Sequence, residues 1–395
     1  MTGVLNNIRV LDFGRYIAGP CLATHLADLG ADVIRIEKVD GSEDRFVTPV
    51  AADGSGALFL QVGRNKRGMT LNPTKSGGAE VLRRLVESAD VVVANMPPAG
   101  LVAMGVDYES LTAIKPNIIL ATNNVFGSGG PWSERVGFDG LAQAMSGAAA
   151  MSGPPGQPTR SSAPFVDFCS ATLGAVAVLA ALRHRDLTGE GQQVETALLK
   201  TALMMMNGSI VEQALLGLDR ESTHNRGQTA APSDIFRCSD GYIAAAVLGA
   251  PLWERWCKLV GRPELANDDR FKDDISRGNH RDELCGVMDD WCHERTVTEA
   301  LDALAELKVP AAPVYTPQQV LDDDHVAAIG LLQPTDYPGG LPQPAPIAEF
   351  PVTMSAVDTG IRHPAPTLGQ HSDEILTELG YERSEIDALR ADRVV

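Results

Sequence analysis

The chain has 395 residues, of which 44% are hydrophobic and 21% are charged, so it is long enough for two or more globular domains. Its formal net charge of −18 argues against a nucleic-acid groove or an anionic membrane surface, but it leaves room for a local basic pocket that binds a small anion. Six scattered cysteines without a Cys-x-x-Cys pair, and an N-terminus unlike a signal peptide, lead us to expect a cytoplasmic protein with free thiols.

The first 125 residues alternate short apolar runs with segments that have helical spacing. This alternation is typical of a parallel sheet covered by helices on both faces. We therefore predict an open α/β domain, with ligands bound at the carboxyl ends of its strands. The predicted strands are residues 8–13, 31–37, 90–95 and 117–123, and the predicted helices are residues 19–30 and 77–88.

The remainder of the chain predicts further helices and a second, smaller domain of α+β type. A hairpin about Asp240-Gly241 follows a polar linker, and it is followed by helical segments and a short strand. Residues 333–351 predict an extended, proline-rich strap, and residues 372–390 predict a helix pair broken at Gly380. The methionines Met204 to Met206 are interpreted as core residues. The other helices predicted are residues 140–150, 170–185, 195–216, 251–260, 279–293 and 296–307, with the hairpin at 235–247 and the last strand at 311–315.

Asp167 is a lone acid between a Pro/Gly-rich loop and an apolar segment rich in small residues. Asp is a favoured N-cap, so one interpretation is that Asp167 caps the helix that follows. An acid at the positive end of a helix stays ionised, and an ionised carboxylate is what covalent catalysis by Asp requires. Both interpretations stay open at this point. The uncharged apolar run at residues 171–182 is too short to span a bilayer.

Other chemistries fit the sequence less well. Gly14 and Gly19 are separated by four residues and followed by Pro20, so the spacing of a dinucleotide-binding loop is missing. The eight histidines form no His-x-x-x-His pair and no Cys/His ligand pattern, so we predict no metal site. The sequence lacks a Gly-x-Ser-x-Gly motif and a phosphate-binding loop, which leaves a carboxylate as the favoured reactive group.

Basic residues cluster in the first domain, against the overall charge. Three cations fall within residues 64–67, and four more lie near the predicted ends of the first two strands. The cluster indicates either a solvated face or a pocket for an anionic cofactor. The cations are Arg15, Arg35, Lys38, Arg45, Arg64, Lys66 and Arg67.

A series of motifs runs through nearly the whole chain in a fixed order. They are residues 10–20, 30–38, 65–67, 89–95 and 142–147, Asp167 before its apolar helix, and residues 188–192 and 364–371. Together they resemble the family III CoA-transferases, a group that includes formyl-CoA, succinyl-CoA and carnitine CoA-transferases and the related alpha-methylacyl-CoA racemases.

The resemblance implies a Rossmann-like open parallel sheet in a large domain, plus a smaller α+β domain. The corresponding boundaries are 1–220 for the large domain, 221–320 for the small domain and 321–395 for a C-terminal segment that returns to the large domain. It also implies a homodimer of two interlocked rings, with acyl-CoA and a carboxylic acid as substrates and no prosthetic group. Asp167 matches the catalytic aspartate of the family, which attacks the thioester to give a mixed anhydride and then an aspartyl-CoA thioester.

The resemblance further implies a set of CoA contacts, mostly in loops that follow the predicted strands. One position departs from the pattern, because Ala103 precedes Met104-Gly105 where many members carry an arginine. A phosphate contact is then either missing, which would weaken CoA binding, or supplied by Arg64 or Arg67. The implied CoA-binding residues are Arg15, Tyr16, Ile17, Lys38, Leu71, Asn72, Pro73, Asn95, Met96, Pro97, Met104, Arg135, Phe138 and Asp139.

Two alternatives stay open beside CoA transfer. The racemase branch pairs its aspartate with a histidine in a Gly-His-Asp motif, whereas this chain has Phe138 in the matching Gly-Phe-Asp. Phenylalanine cannot carry a proton, so two-base racemisation lacks a partner and transfer is favoured. The second alternative is a CoA-binding homologue without activity, against which the intact Asp167 argues.

Overall fold

The computed structural model describes residues 3–395, and the chain divides into two compact units. The larger unit comprises the chain as far as Ser146, together with Ser161–Gly208 and His325–Val395. The smaller unit comprises Gly147–Arg160 and Ser209–Asp324.

The larger unit is built on a parallel sheet of six strands, counted within residues 3–395. The spatial order is β3-β2-β1-β4-β5-β6, so the strand order reverses between β1 and β4. An open sheet of this topology binds ligands outside the carboxyl ends of its strands, at the point of reversal. The strands are β1 Arg9–Asp12, β2 Asp32–Glu37, β3 Lys66–Thr70, β4 Val91–Ala94, β5 Ile119–Asn124 and β6 Gln193–Ala197.

Helices cover both faces of this sheet, because alternate residues of each strand are apolar on opposite sides. Leu11 and Ile34 pack on one face, whereas Val10 and Val33 pack on the other, and all four are essentially inaccessible to solvent. The predicted α/β class with a parallel sheet is confirmed. The helices of this part are α1 Ala18–Asp28, α2 Ala57–Gly63, α3 Gly78–Ser88, α4 Pro98–Met104, α5 Tyr108–Ile114, α6 Asp139–Met145, α7 Phe165–Thr188 and α8 Leu198–Leu216.

The long helix α7 packs against α1 through small residues. A Cβ atom added at Gly174 would lie 2.4 Å from Leu22 Cδ1, so this glycine sets how closely the two helices approach. By length and composition alone α7 could span a membrane, and 44% of its apolar window is buried inside the protein. Ala171, Ala175 and Val178 of the helix belong to the core between α1 and the sheet, which is the environment of a core helix in a globular protein.

The smaller unit combines a three-stranded antiparallel sheet with five α-helices, all in described residues. The predicted hairpin about Asp240-Gly241 is confirmed, with Phe236 opposite Ile243. Trp253, Trp256 and other buried side chains form its own apolar core. Its elements are β7 Ser233–Arg237, β8 Tyr242–Ala246, α9 Ala250–Leu259, α10 Asp274–Asn279, α11 Arg281–His293, α12 Val297–Glu306, β9 Ala311–Pro313 and α13 Pro317–Asp322.

The C-terminal part of the chain returns to the larger unit at His325. The predicted helix pair is confirmed, and Gly380 between its helices has a φ of 83°, which glycine adopts without strain. Residues 333–351 are more than a strap, because they contain a hairpin whose Ile347 is buried with Phe59 and Leu60. The elements are α14 Asp324–Ile329, β10 Leu332–Thr335, β11 Ala345–Ala348, α15 Ser372–Glu378 and α16 Arg383–Ala391.

Several elements differ from those that the sequence predicts, including both edge strands of the sheet. β3 was not predicted, and residues 195–197 belong to strand β6 rather than to a helix. α7 begins five residues before the predicted start at residue 170, and α6 ends at Met145 rather than at residue 150. Two of the three methionines assigned to the core lie at the surface of this chain, since Met204 is 55% and Met205 46% exposed, and Met206 is partly buried.

The unit boundaries also differ from the expected ones, since the smaller unit takes in residues 209–220 and 321–324 as well as 221–320. It also includes residues 147–160, which were assigned to the large domain. The reason is local hydrogen bonding. Gly153 O accepts from the amide of His224 at 3.0 Å and from the hydroxyl of Ser222, so the Pro/Gly-rich loop is tied to the segment that follows α8.

Candidate active site

A cavity of about 630 Å³ opens at the carboxyl ends of β1, β2, β3 and β4. Its size is that of a small-molecule site, and it lies beside the point where the strand order reverses. Seven of the residues predicted to contact CoA line it, namely Arg15, Lys38, Leu71, Asn72, Pro73, Met96 and Met104. The further lining residues are Phe13, Ile36, Glu37, Val39, Asp40, Glu43, Thr74, Lys75 and Arg393.

Two cations of this cavity were missed by the sequence prediction. Lys75 follows the predicted CoA contacts Asn72 and Pro73 by two residues, and its ammonium donates to Asp392 O at 2.8 Å. Arg393 comes from the C-terminal end of the fold and pairs with Asp40 at 2.6 Å. Lys75 lies close in sequence to the predicted contacts Leu71 to Pro73 and could have been included with them. No local signal links Arg393 to the four strands, which lie far earlier in the sequence.

Arg64 and Arg67, the candidates to replace the arginine that is missing at position 103, are both paired with carboxylates elsewhere. Arg64 forms a bidentate pair with Asp28, with its Nη2 2.6 Å from the carboxylate, and Arg67 binds Asp32 at 2.7 Å at the amino end of β2. Neither residue lines the cavity. The structure does not support a phosphate contact from Arg64 or Arg67 at this cavity, because both are paired with carboxylates away from the carboxyl ends of the strands.

Lys66, the third cation of that cluster, is part of a buried ion network beneath the turn that follows β1. Its ammonium lies 2.8 Å from Asp12 Oδ2, and Arg35 lies 3.6 Å from Asp12 Oδ1. Burial raises the pKa of Asp12, but the attraction of Lys66 and Arg35 is stronger in sum, so the pKa lies below its usual value. Asp12 also accepts the amide of Gly14 at 2.8 Å, so the network fixes the start of the loop that carries Arg15.

Asn95, which follows β4, holds the same loop from the other side. Its side-chain oxygen accepts the amide of Arg15 at 2.6 Å, and its side-chain nitrogen donates to Arg15 O at 2.8 Å. The next residue, Tyr16, has a φ of 60°, a conformation that non-glycine residues rarely adopt. Asn95 thus stabilises a strained turn between the cavity and the start of α1, whereas its contact with CoA stays a prediction.

The aromatic ring of Tyr16 meets the ring of Phe138 edge to face, with centroids 5.5 Å apart. Phe138 immediately precedes α6, is 62% exposed, and therefore leaves an apolar surface beside the loop after β1. Arg135 stacks on Trp132 at 3.9 Å from the ring centroid. Seven of the residues predicted to contact CoA, all within the described part of the chain, do not line the cavity at the carboxyl ends of β1–β4. They are Tyr16, Ile17, Asn95, Pro97, Arg135, Phe138 and Asp139.

Asp167 is the third residue of α7, in its first turn, rather than the cap of the helix. The residue in the cap position is Pro164, whose side chain has no oxygen to accept an amide. The cap is supplied from α6 instead, because Asp139 Oδ2 accepts the amides of Val166 at 2.8 Å and Asp167 at 3.0 Å. The prediction that Asp167 itself caps the helix is therefore wrong, although the residue does lie at the helix start.

Asp167 is partly buried, and its ionised form is less stable than the sequence analysis predicts. Burial, and after it the neighbouring carboxylate of Asp139, raise the pKa of Asp167 to about 7. The expectation that the helix end keeps this carboxylate ionised is corrected accordingly, since near neutral pH the acid and the carboxylate are both populated. Strongly shifted carboxyl groups are typical of functional sites.

A small apolar cluster lies beside Asp167, because it includes Val166, the preceding residue of α7. Ala18 of α1, Ala142 of α6 and Val166 of α7 share one small apolar cluster, together with Leu198 and Ala202 of α8. The loop with Arg15 and Tyr16 leads directly into α1, so the cavity and Asp167 belong to one continuous region of the larger unit. Among residues 3–395, no group of three or more His, Cys, Asp or Glu side chains is arranged to hold a metal ion.

Comparison with known proteins adds an independent finding. The model of CoA-transferase family III matches residues 5–372. The chain is 33% identical over 401 residues to the succinyl-CoA–D-citramalate CoA-transferase of Chloroflexus aurantiacus, covering 99% of this chain and 98% of that protein. It is also 33% identical over 389 residues to the succinyl-CoA:mesaconate CoA-transferase of Haloarcula marismortui, covering 96% and 97% respectively. The crystal structure of a CAIB/BAIF family protein from Brucella suis matches with a TM-score of 0.85 at 31% identity, over 96% of this chain and all of that one.

Proposed function

Since the chain belongs to CoA-transferase family III, we propose that it moves CoA from an acyl-CoA thioester to a free carboxylic acid through covalent intermediates on Asp167. The observation that carries the proposal is the match of the family over residues 5–372, which includes Asp167. An enzyme of this family acts on acyl-CoA and carboxylate substrates, with the CoA thioester as substrate rather than as a prosthetic group.

The proposed reaction begins with attack of the Asp167 carboxylate on the thioester carbonyl carbon. The C–S bond breaks, CoA leaves as a thiolate, and an acyl–aspartyl mixed anhydride forms. The thiolate then attacks the Asp167 carbonyl carbon of this anhydride, so that the donor acid leaves as its carboxylate and an aspartyl-CoA thioester remains. Each step exchanges one activated acyl derivative for another, and the energy of the thioester is retained.

The second half of the reaction repeats these steps with the acceptor acid. Its carboxylate attacks the aspartyl-CoA thioester and expels the CoA thiolate, and the thiolate then attacks the acceptor carbonyl carbon of the new anhydride. The products are the acceptor acyl-CoA and the regenerated carboxylate of Asp167. Since the attacking form is the carboxylate, the raised pKa of Asp167 is expected to lower kcat/KM as the pH falls below about 7.

The cavity at the carboxyl ends of β1–β4 is the proposed site for the phosphate-bearing part of CoA. Apolar side chains such as Ile36, Leu71 and Met96 line it beside the cations Lys38, Lys75 and Arg393. Arg393, whose partner in this structure is the Asp40 carboxylate, would keep a charge-assisted hydrogen bond when a phosphate replaces that partner. Arg15 is mostly enclosed by its own loop, with Nη1 bonded to Phe13 O at 2.9 Å and Gly14 O at 2.7 Å, and is assigned to shaping the site.

The proposed working unit is a cytoplasmic homodimer, with no nucleic-acid or membrane partner. Helix α8 supports the dimer, because of its nineteen residues, all described, only Leu198, Thr201 and Ala202 are buried in this chain. A mostly apolar helix left exposed on nearly all sides is a surface that a second chain covers. Its exposed apolar residues are Leu203, Met204, Met205, Ile210, Val211, Leu215 and Leu216.

The donor panel that tests the proposal begins with succinyl-CoA, which the names of both relatives above include. Acceptors are supplied as a mixture of mono- and dicarboxylic acids, and new acyl-CoA species are identified by mass spectrometry. Formation of an acceptor acyl-CoA, with release of an equal amount of donor acid, is the expected result. Absence of transfer with every donor and acceptor, despite binding of CoA, identifies an inactive homologue instead.

The covalent route is tested with hydroxylamine during turnover, which converts an aspartyl anhydride or thioester into a hydroxamate at residue 167. Asp167→Ala is expected to lower turnover by at least about a thousandfold, as loss of a covalent nucleophile does. Asp186→Ala is the matched control, because Asp186 lies on the same helix, near its other end, and is exposed. Near-wild-type transfer by Asp167→Ala would remove the assignment, and α-deuterium uptake into a 2-methylacyl-CoA without transfer would establish the racemase alternative.

A further inference from the structure

The first turn of α7 is held by a carboxylate from another helix. The amides at the start of a helix lack partners within it, and the residue in the cap position usually supplies one. Pro164 cannot do so, and Asp139, which begins α6, accepts the amides of both Val166 and Asp167 through one oxygen. The backbone of Asp167 itself is thus one of the two groups that Asp139 holds.

The second oxygen of Asp139 is also occupied. Oδ1 accepts a hydrogen bond from Gln143 Nε2, one turn further along α6. The oxygen of the Gln143 side chain accepts the amide of Ser161 at 2.8 Å, so the same glutamine holds the segment that leads into α7. We refer to these four bonds, made by Asp139 and Gln143, as the α6–α7 clasp.

The two side chains that form the clasp are closed to solvent. Asp139 is 6% exposed, Gln143 is 1% exposed, and Val166 is fully buried. Three donors already satisfy the Asp139 carboxylate, and it does not line the cavity proposed for CoA. A direct contact with CoA, which the family resemblance suggested for this residue, would require the clasp to open.

We propose that Asp139 is a positioning residue, which fixes the orientation of the Asp167 carboxylate and sets the electrostatic field around it without contacting CoA. The proposal rests on the function proposed for Asp167. It differs from an ordinary capping role, because a cap alone would affect stability, whereas Asp139 lies close enough to Asp167 to disfavour its ionised form.

The first test compares Asp139→Asn with the wild-type enzyme in the pH dependence of kcat/KM. Asparagine keeps the size of the side chain and one oxygen for the two amides, but it removes the charge. The acid limb of the profile is expected to move to lower pH by about one unit, because a like charge beside Asp167 is lost. Asp107→Asn is the matched control, since Asp107 caps α5 by accepting the amide of Ser110 at 3.1 Å.

The second test separates kcat from KM. Asp139→Ala removes the clasp, and a misoriented nucleophile is expected to lower kcat by about 10- to 100-fold while KM for acyl-CoA stays within about twofold. Asp139→Asn is expected to recover much of this loss at high pH. A rise in KM with unchanged kcat would overturn the proposal, because it would place Asp139 in contact with CoA, and so would an acid limb that does not move in Asp139→Asn.

A third measurement needs no turnover and covers the case in which Asp139→Ala is poorly folded. Hydrogen exchange of the peptide that contains Val166 and Asp167 is followed by mass spectrometry in Gln143→Ala, Asp139→Asn and the Asp107→Asn control. Faster exchange of this peptide in Gln143→Ala, but not in Asp107→Asn, supports the clasp, and unchanged exchange in Gln143→Ala refutes it. Failure of the proposed function is recognised separately, because the wild-type protein would then show no transfer, or Asp167→Ala would retain it, whatever Asp139 does.

Discussion

Replacement of Asp167 by Asn should stabilise the protein, and the gain should grow with pH. The folded protein binds the Asp167 proton more tightly than the unfolded chain, because the pKa is about 7 in the fold and 3.8 ordinarily. Stability contributed by this group is therefore fully present below about pH 4, is lost as the pH rises to about 7, and changes no further above it. Asparagine carries no charge at any of these pH values and avoids the loss.

The size of the effect follows from the shift. Each pKa unit corresponds to about 1.4 kcal/mol, so between pH 5 and pH 8 the advantage of Asp167→Asn should grow by about 2 to 3 kcal/mol. Denaturant unfolding at pH 5, 6, 7 and 8, for both proteins at one protein concentration, measures the difference directly. A difference that stays constant with pH would refute the reasoning, because it would mean that Asp167 titrates near its ordinary value in the folded protein.

Arg393→Ala and Lys75→Ala each remove one cation from the cavity, so KM for acyl-CoA should rise about five- to tenfold at unchanged kcat, as steady-state kinetics would show. A fall in kcat alone would contradict the binding role. Lys66→Met leaves Asp12 buried without its ammonium partner, and denaturant unfolding should show a loss of about 3 to 5 kcal/mol. A loss below about 1 kcal/mol would show that the pair is not needed. Met205→Glu places a charge on the exposed face of α8, and analytical ultracentrifugation should detect monomers where the wild-type protein forms dimers. A variant that stays dimeric would place the dimer contact elsewhere.

The central strands of the large sheet were predictable because their apolar residues are contiguous. β1, β2, β4 and β5 are buried on both faces, and each therefore reads as a short hydrophobic run. β3 and β6 lie at the two edges of the sheet, where polar residues are tolerated. Lys66 in β3 can be buried because Asp12, which is far away in the sequence, neutralises it. No local sequence pattern predicts such a pair.

The candidate site was predictable to the extent that it follows strand ends. Lys38, Leu71 and Met96 each come directly or almost directly after a strand, and the topology of the sheet brings them to one cavity. Arg393 and the clasp at Asp139 depend on contacts between distant segments, which hydrophobic periodicity does not encode. The protonation of Asp167 was misjudged for the same reason, since burial and a second carboxylate oppose the effect of the helix end.

The α6–α7 clasp also has a consequence for redesign. The chain leaves the larger unit after Ser146 and re-enters it at Ser161, and Gln143 is bonded to the point of re-entry. The hydrogen bond between Gln143 and Ser161 therefore holds together the two ends of the loop formed by residues 147–160. Replacing this loop with the corresponding loop of a relative, even one of different length, should leave Asp167 in place. The loop can therefore differ between relatives without loss of the reaction.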